Sequence, residues 1–305
     1  MANSSRMLTG TNARELQLGI DKIINHFDKA YIGPYKELFE SVDTEKGFYE
    51  IVQEAGMGPA AMRNEGQVLT NFDTINQDFN PRYTIFAYEK AARASAEAIA
   101  DNLYMNLVDR MAECIATSHN VNKDIQAVSI LNNATTTPWG DGSPLLSTSH
   151  EIQAGGVNTN RLAPDLDLSL DAVQQAIILV HNFINPDGLL GDYETDSLVV
   201  PTALQFVADT ILNSRYKTSS ANNDINPVNR RGDITDYIVW RRLTSATTFF
   251  ITTSQKKDGL IIAERQGIES KTFEDNFTRD TIVNSWTRFR CLVGDHRCLV
   301  GSVGP

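Results

Sequence analysis

The sequence predicts an α+β fold, and three observations carry the prediction. Residues 83–119 place apolar side chains every three or four positions over about ten helical turns. Residues 47–86 and the C-terminal third are instead rich in β-branched and aromatic residues in short extended runs. Between these regions lie further helical patterns interrupted by Gly, Pro, Asn and Ser clusters.

The helical stretch organises the rest. Ile85, Tyr88, Ala92, Ala96, Ile99, Leu103, Leu107, Met111 and Ile115 form one stripe, with Arg93, Glu97, Asp101, Asp109 and Glu113 mostly off it. The segment is Ala-rich from Ala87 to Ala100 and has no Gly or Pro between Arg82 and His119, so its intrinsic helix propensity is high. At 1.5 Å per residue it would be roughly 50 Å long. Charges interrupt the apolar run too often for a membrane span, and small Ala residues fill the first half of the seam, which weakens a coiled-coil reading. A spine remains, its apolar face expected on the C-terminal strands near 286–299. Ile99→Pro is expected to abolish folding at a cost of ~3 kcal/mol or more.

In 305 residues with 41% hydrophobic content the chain can bury a sizeable core in one large domain or two ordinary ones. Its 27 basic and 38 acidic residues give a net charge of -11, which argues against tight binding of a phosphate backbone. No apolar signal core opens the chain and no window reaches eighteen apolar residues, so synthesis and folding are expected in the cytoplasm, away from membranes. Cys114, Cys291 and Cys298 have no zinc-ligand spacing and read first as small hydrophobes.

Residues 12–31 form a short amphipathic helix, with Leu16, Ile20, Ile23, Ile24, Phe27 and Tyr31 on one side and Gly33-Pro34 as its stop. Such a helix can dock on its own body or on a neighbour. Two extended runs, 47–54 and 75–86, flank a Gly- and Pro-punctuated stretch from Gly56 to Gln67. They suggest a long two-stranded arm with a mobile tip, marginal alone in water and in need of a partner surface. Residues 121–168 read as polar and loop-rich.

Ser169 is a plausible N-cap, with Asp171 in the first turn, for a helix carrying Val173, Ile177, Leu179, Val180 and Phe183. Asn185-Pro-Asp-Gly188 ends it. A short strand at 197–200 precedes Pro201, which suits position N1 of a helix reaching about Ser214. Residues 215–233 read as a flexible loop, and strands are expected at 237–240, 247–253, 260–264 and 281–293.

Signals for enzyme chemistry are weak. Gly56-x-Gly58-x-x-Ala61 matches a dinucleotide fingerprint, but Pro59 lies inside it, Gly66 interrupts the supposed helix, and no second βαβ unit follows. Ser147, Ser149, His150 and Asp165 supply the residue types of a hydrolytic triad without a nucleophile elbow, and a turn-rich loop whose hydroxyls bond its own backbone accounts for them. His26, His119, His150, His181 and His296 contain no pair at metal spacing, and Cys114 and His119 sit about 140° apart on a helix. Catalytic, cofactor and metal sites are therefore read as none. If Gly294-Asp295 is a two-residue hairpin turn, Cys291 faces Cys298 and a late disulfide is conceivable; a reduced pair in the core is the alternative.

The order of parts, namely arm, two-stranded loop, spine helix, α+β region and return into long strands, resembles the major capsid protein of tailed bacteriophages with the Hong-Kong-97-type fold. The resemblance is sharpest in Asp141-Gly-Ser-Pro-Leu-Leu-Ser-Thr-Ser-His150, in Ser197-Leu-Val-Val-Pro-Thr-Ala-Leu204 with Thr210-Ile-Leu-Asn-Ser214 behind it, and in Arg288-Phe-Arg-Cys-Leu-Val-Gly-Asp-His-Arg297 with Gly301-Ser302. These stretches look like Mu-like major head subunits.

The resemblance implies an N-terminal arm at 1–46, an extended E-loop at 47–86 lying over a neighbour, a peripheral domain with the spine helix at 87–165, an axial domain at 166–265, and C-terminal strands returning to the peripheral domain at 266–305. It implies self-assembly into hexamers and pentamers of a phage head around double-stranded DNA that is touched weakly and non-specifically, with portal, scaffolding and decoration proteins as further partners. Some relatives link an E-loop lysine covalently to an asparagine of another subunit; residues 47–89 hold no lysine, so no such bond is expected. Any scaffold is expected to be a separate protein or already removed. Two alternatives are an encapsulin-like compartment of the same fold and an α+β enzyme using the Ser147–His150 loop.

Overall fold

A computed structural model describes residues 9–58, 60, 62, 64–66, 76–77, 79–95, 97–98, 101, 107–217 and 224–304. In chain order the elements are α1 (Thr9–Ala30), α2 (Tyr35–Leu38), β1 (Glu40–Asp43), β2 (Phe48–Glu50), β3 (Glu54–Ala55), β4 (Asn76–Gln77), β5 (Arg82–Thr84), β6 (Phe86–Ala94), α3 (Leu107–Asn132), β7 (His150–Glu151), β8 (Val157–Asn158) and α4 (Leu170–His181). There follow β9 (Thr195–Val200), α5 (Gln205–Asn213), α6 (Pro227–Arg231), β10 (Asp236–Val239), β11 (Phe249–Thr253), α7 (Lys256–Gly259), β12 (Leu260–Glu274), β13 (Thr281–Val293) and β14 (Leu299–Ser302). The mixture is α+β, as the residue patterns predict.

The long helix differs from its expected span at both ends. Residues 86–94 form an edge strand, antiparallel to β13 from Phe86 opposite Phe289 to Ala94 opposite Thr281. Alanine's helix preference amounts to tenths of a kcal/mol per residue, and a nine-residue ladder with Tyr88 stacked on Phe289 at 4.6 Å overrides it. Ala96, Ile99 and Leu103 lie outside the described residues. The helix then runs from Leu107 to Asn132, about 39 Å for its 26 residues.

Its second half falls where the polar composition suggests loop. His119, Asn120, Lys123 and Asp124 are buried, each against a partner from another element. His119 Nε2 meets Ser285 Oγ at 2.7 Å, Asn120 Oδ1 accepts from Tyr35 Oη at 3.3 Å, and Lys123 Nζ pairs with Glu264 at 2.7 Å. Asp124 accepts from Trp240 Nε1 at 3.0 Å and Arg242 Nε at 2.6 Å. Paired polar groups can be buried. They conceal a core helix from a hydrophobicity pattern.

The helix packs on the C-terminal strands chiefly through residues beyond the expected stripe: Ala127, Val128, Ile130 and Leu131 share one core with Leu260, Phe289, Cys291, Val293 and Leu299, while the stripe's Ile115 packs with Val283. Helix α1 docks on its own body: Ile20 and Ile24 are buried against Ala112, Ile115, Ala116 and Val283.

Two four-stranded sheets flank this core, ordered β1-β12-β13-β6 and β10-β9-β11-β14. The β12–β13 hairpin runs from Leu260 opposite Val293 to Glu274 opposite Thr281, so β12 extends ten residues beyond its expected end at 264. Strand alternation divides the second sheet. Val199, Phe250 and Leu299 face the spine, whereas Leu198, Val200, Phe249, Ile251 and Val300 face a second core under α4, α5 and α6.

Ser169 caps α4 through Oγ, which accepts from the Ala172 amide at 3.2 Å. Pro201 precedes a short 3-10 turn, Thr202–Leu204, that leads into α5. Within the stretch read as a loop, Asn226 Oδ1 accepts from the Val228 amide and starts α6, with Pro227 in its first turn.

Residues 294–295 are not a hairpin turn. Val293 pairs with Leu260, and the chain crosses through the turn His296–Cys298 into β14, which belongs to the other sheet beside β11. Cys291 and Cys298 are both free and buried, whereas Cys114 is exposed and so does not behave as a small core hydrophobe.

Candidate assembly surfaces and a buried histidine hub

The strongest concentration of buried chemistry lies where the 141–160 loop meets the crossing at 295–297. His150 Nδ1 faces Asp141 Oδ2 at 2.5 Å, and its ring stacks on His296 with centroids 4.0 Å apart and planes 9° from parallel. Asn160 sets the orientation of His150. Its Nδ2 donates to the Leu145 carbonyl at 2.6 Å and the His296 carbonyl at 3.0 Å, so its Oδ1 is an acceptor, taking the Ser147 amide at 2.9 Å. His150 Nε2, 3.2 Å from that oxygen, is therefore a donor, with Asp141 held against the opposite nitrogen.

The partner histidine is held the other way. Asn158 exchanges two hydrogen bonds with the Ile184 backbone, at 2.8 and 3.0 Å, which points its Nδ2 at His296 Nε2, 3.4 Å away. That nitrogen is an acceptor, so the ring is neutral. Burial pushes its pKa down to about 3, against the opposing pull of Asp295. Burial alone would raise Asp141, but the hydrogen bond and charge of His150, with the Ser143 amide, hold it below the usual carboxylate range. Asp295 is likewise held low despite burial, because Arg297 Nε sits 3.0 Å from both of its oxygens.

Asp141, His150 and His296 bring ligand-type atoms within 4.8 Å of one another. Both His150 nitrogens are already committed, and parallel rings do not aim their lone pairs at one point. The arrangement is a hydrogen-bonded clasp joining two loops.

It also separates the members of the triad reading. The carboxylate on His150 is Asp141, while Asp165 pairs with Arg161 Nε at 3.0 Å. The far nitrogen of His150 meets Asn160, and Ser147 Oγ accepts from the Ser149 amide, as the loop alternative expects. Of the fingerprint residues, Gly56 and Gly58 follow β3 in irregular backbone, and Ala61 lies outside the described residues. Cys114 and His119 fall on opposite sides of the spine, one exposed and one buried. The proximity of His150 and His296 is invisible to local spacing because 146 positions separate them.

The two-stranded arm rises beside this clasp. Phe48 to Glu50 pair with Thr84 to Arg82, the Ile51 and Gln53 amides donate to Pro81 and Phe79, and Glu54–Ala55 pairs with Asn76–Gln77. Gln53, Phe79 and Pro81 border a cavity of about 20 Å³ with Asp141, His150 and His296. On the described part of the ribbon Val52, Met57 and Met62 are exposed, while the Gln77 carbonyl accepts from Gln153 Nε2 at 3.0 Å. Two other protrusions carry solvent-facing rings, Phe206 at the start of α5 and Phe277 at the tip of the β12–β13 hairpin. Among the described residues no helix is long and apolar enough to cross a membrane.

Comparison with known proteins gives this geometry its family. Among solved structures, the capsid of cyanophage P-SCSP1u is similar at 10% identity and a TM-score of 0.56, covering 90% of this chain and 88% of that one. The procapsid protein of bacteriophage JBD30 is similar at 12% identity and a TM-score of 0.52 (98% and 77%). A virus-like particle from Pyrococcus furiosus is similar at 10% identity and a TM-score of 0.53 (93% and 97%). At these identities the likeness is one of fold, the Hong-Kong-97-type capsid fold. No curated protein sequence matches the chain. The family model described as phage capsid protein matches residues 80–302, from the second arm strand through the spine, both sheets and the last strand. The chain therefore belongs to the phage capsid protein family.

Proposed function

We propose that the protein is the major subunit of an icosahedral phage head, its copies arranged as hexamers and pentamers around double-stranded DNA. The observation that carries this reading is the ribbon in which 48–50 pairs with 82–84 and 54–55 with 76–77, a two-stranded arm of the kind that is marginal unless a further surface covers it. With a second copy as that surface the contact is heterologous, and heterologous contacts close into rings and shells.

In this reading residues 1–46 are the N-terminal arm, 47–86 the E-loop lying over a neighbour, 87–165 the peripheral domain and 166–265 the axial domain, with 266–305 returning to the peripheral domain. The role is structural rather than enzymatic. The net charge of -11 suits a wall that touches packaged DNA only weakly. Portal, scaffolding and decoration proteins are the expected further partners, and folding in the host cytoplasm precedes incorporation into the virion. The family match favours a phage head over an encapsulin-like compartment.

Negative-stain microscopy of the purified protein tests the reading. Closed shells are expected, and particles recovered from infected cells should contain double-stranded DNA. A discrete small oligomer at all concentrations would overturn it.

A further inference from the structure

A groove of about 210 Å³ opens between α4 and α6, with Ile177 and Ile178 on one wall and Pro227 and Val228 on the other. Ile178 is 60% exposed, whereas Val173, Ile177 and Val180 of the same helix are buried. Dry apolar cavities of ~150 Å³ bind benzene, so the groove has room for one aromatic ring. Gln174, Arg231 and Asp233 complete the lining. Gln174 Nε2 is buried there with no hydrogen-bond partner among the described residues. Asp233 engages Arg231 only through Nε, at 2.9 Å, and the Arg231 side chain is 65% exposed. A guanidinium has further N–H donors to offer a second carboxylate.

The same helical layer carries a ring that nothing covers. On α5, Ala208, Ile211 and Leu212 turn inward, and Phe206 stands 76% exposed on the outer face. Asp209, three positions on, shares that face and holds Asn213 Nδ2 at 2.6 Å. The C-terminal end of α5 is fastened to α6, where Asn226 Nδ2 donates to the Ile211 carbonyl at 2.7 Å and Asn229 Nδ2 to the Leu212 carbonyl at 2.6 Å. Phe206 lies about 9 Å further up the helix, away from that junction. Helix α5 packs over β10 and α4 over β14, and these are the two edges of the β10-β9-β11-β14 sheet. Ring and groove therefore belong to opposite flanks of one layer, an acidic residue beside the ring and a basic one in the groove.

We infer that the Phe206 ring of one subunit seats in the α4–α6 groove of a second copy beside it, with Asp209 facing that copy's Arg231. The inference rests on the shell reading, since it requires neighbouring copies. Each copy offers a ring on one flank and a groove on the other, so the contact runs head to tail and closes into a ring of subunits. An aromatic anchor in an apolar groove, bordered by a charge pair, is the arrangement that carries most of the energy of an interface.

Two variants test it. Phe206→Ala alters only a solvent-facing ring, so it should fold with unchanged melting behaviour while its shell yield falls by about tenfold or more, as for loss of an aromatic anchor. In a Cys114→Ser background, Phe206→Cys combined with Ile178→Cys should give, after assembly and oxidation, a ladder of disulfide-linked multimers on non-reducing gels that stops at the hexamer. Each single-cysteine variant should give none. Wild-type shells accompanied by normal assembly of Phe206→Ala, or by no cross-linking of the double variant, would overturn the docking and leave the shell reading standing. A wild-type protein that forms no shells would overturn both.

Discussion

His150 and His296 stack ring on ring at 4.0 Å, one donating from Nε2 to Asn160 and the other accepting from Asn158. Two imidazoles so close cannot both be charged at low cost. The buried contact between two loops 146 residues apart is therefore sensitive to acid.

The direction follows from linkage. His296 takes up a proton near 6.5 when unfolded and only near 3 when folded, so between those values the unfolded chain binds more protons. Stability is full above pH 6.5 and is lost as pH falls toward 3, by about 5 kcal/mol over the window. Below 3.8 the low-lying carboxyls of Asp141 and Asp295 add loss of the same sign. Urea midpoints at pH 7, 5.5 and 4.5 should fall steadily in the wild type and less steeply in His296→Phe, which keeps the stack without the titration. An equal slope in the variant would refute the assignment.

Asn160→Ala should be among the most destabilising single changes in the 141–160 loop. Its fully buried amide serves Leu145, His296, Ser147 and His150 together. Unpaired buried groups cost about 1–3 kcal/mol each. A loss of about 3 kcal/mol or more in chemical denaturation is expected; a change under about 1 kcal/mol would mean that water replaces the amide.

The three thiols should react in a fixed order. Burial raises the Cys291 thiol to about 12 and pushes the Cys298 thiol well above its ordinary value, while Cys114 stands exposed on the spine. The thiolate is the reactive form. Alkylation of the native protein followed by mass spectrometry should modify Cys114 alone, with Cys291 and Cys298 labelled as free thiols only after unfolding. A mass two units lower under non-reducing conditions would instead show the disulfide.

Local chemistry made much of this fold legible in the sequence. Ser169 announced its helix through a hydroxyl that caps it, the 281–293 strand through its β-branched and aromatic residues, and the arm through Gly and Pro between two extended runs. What stayed hidden depends on partners distant in the chain. Strand β6 is helical by composition and extended because β13 lies beside it. The end of the spine reads as polar because Lys123 and Asp124 are buried only by virtue of Glu264, Trp240 and Arg242. The histidine clasp has no local signature at all, since its two rings lie 146 positions apart in the chain.

The spine prediction has to move with the helix. Ile99, the position singled out by the stripe, lies outside the described residues, whereas Ala127 is fully buried in the helix interior against the core shared by both sheets. Proline there removes a backbone hydrogen bond and drives its ring into the preceding turn, at ~3 kcal/mol or more before any repacking. That is a large share of the ~5–15 kcal/mol that holds a typical domain together. Glycine at the same position keeps the hydrogen bond and should cost only about 1 kcal/mol. Ala127→Pro should therefore be insoluble or unfolded by circular dichroism, and Ala127→Gly folded with a lowered melting temperature. A folded, soluble Ala127→Pro subunit that merely failed to assemble would show that the second half of the helix serves contacts between copies rather than the core of one.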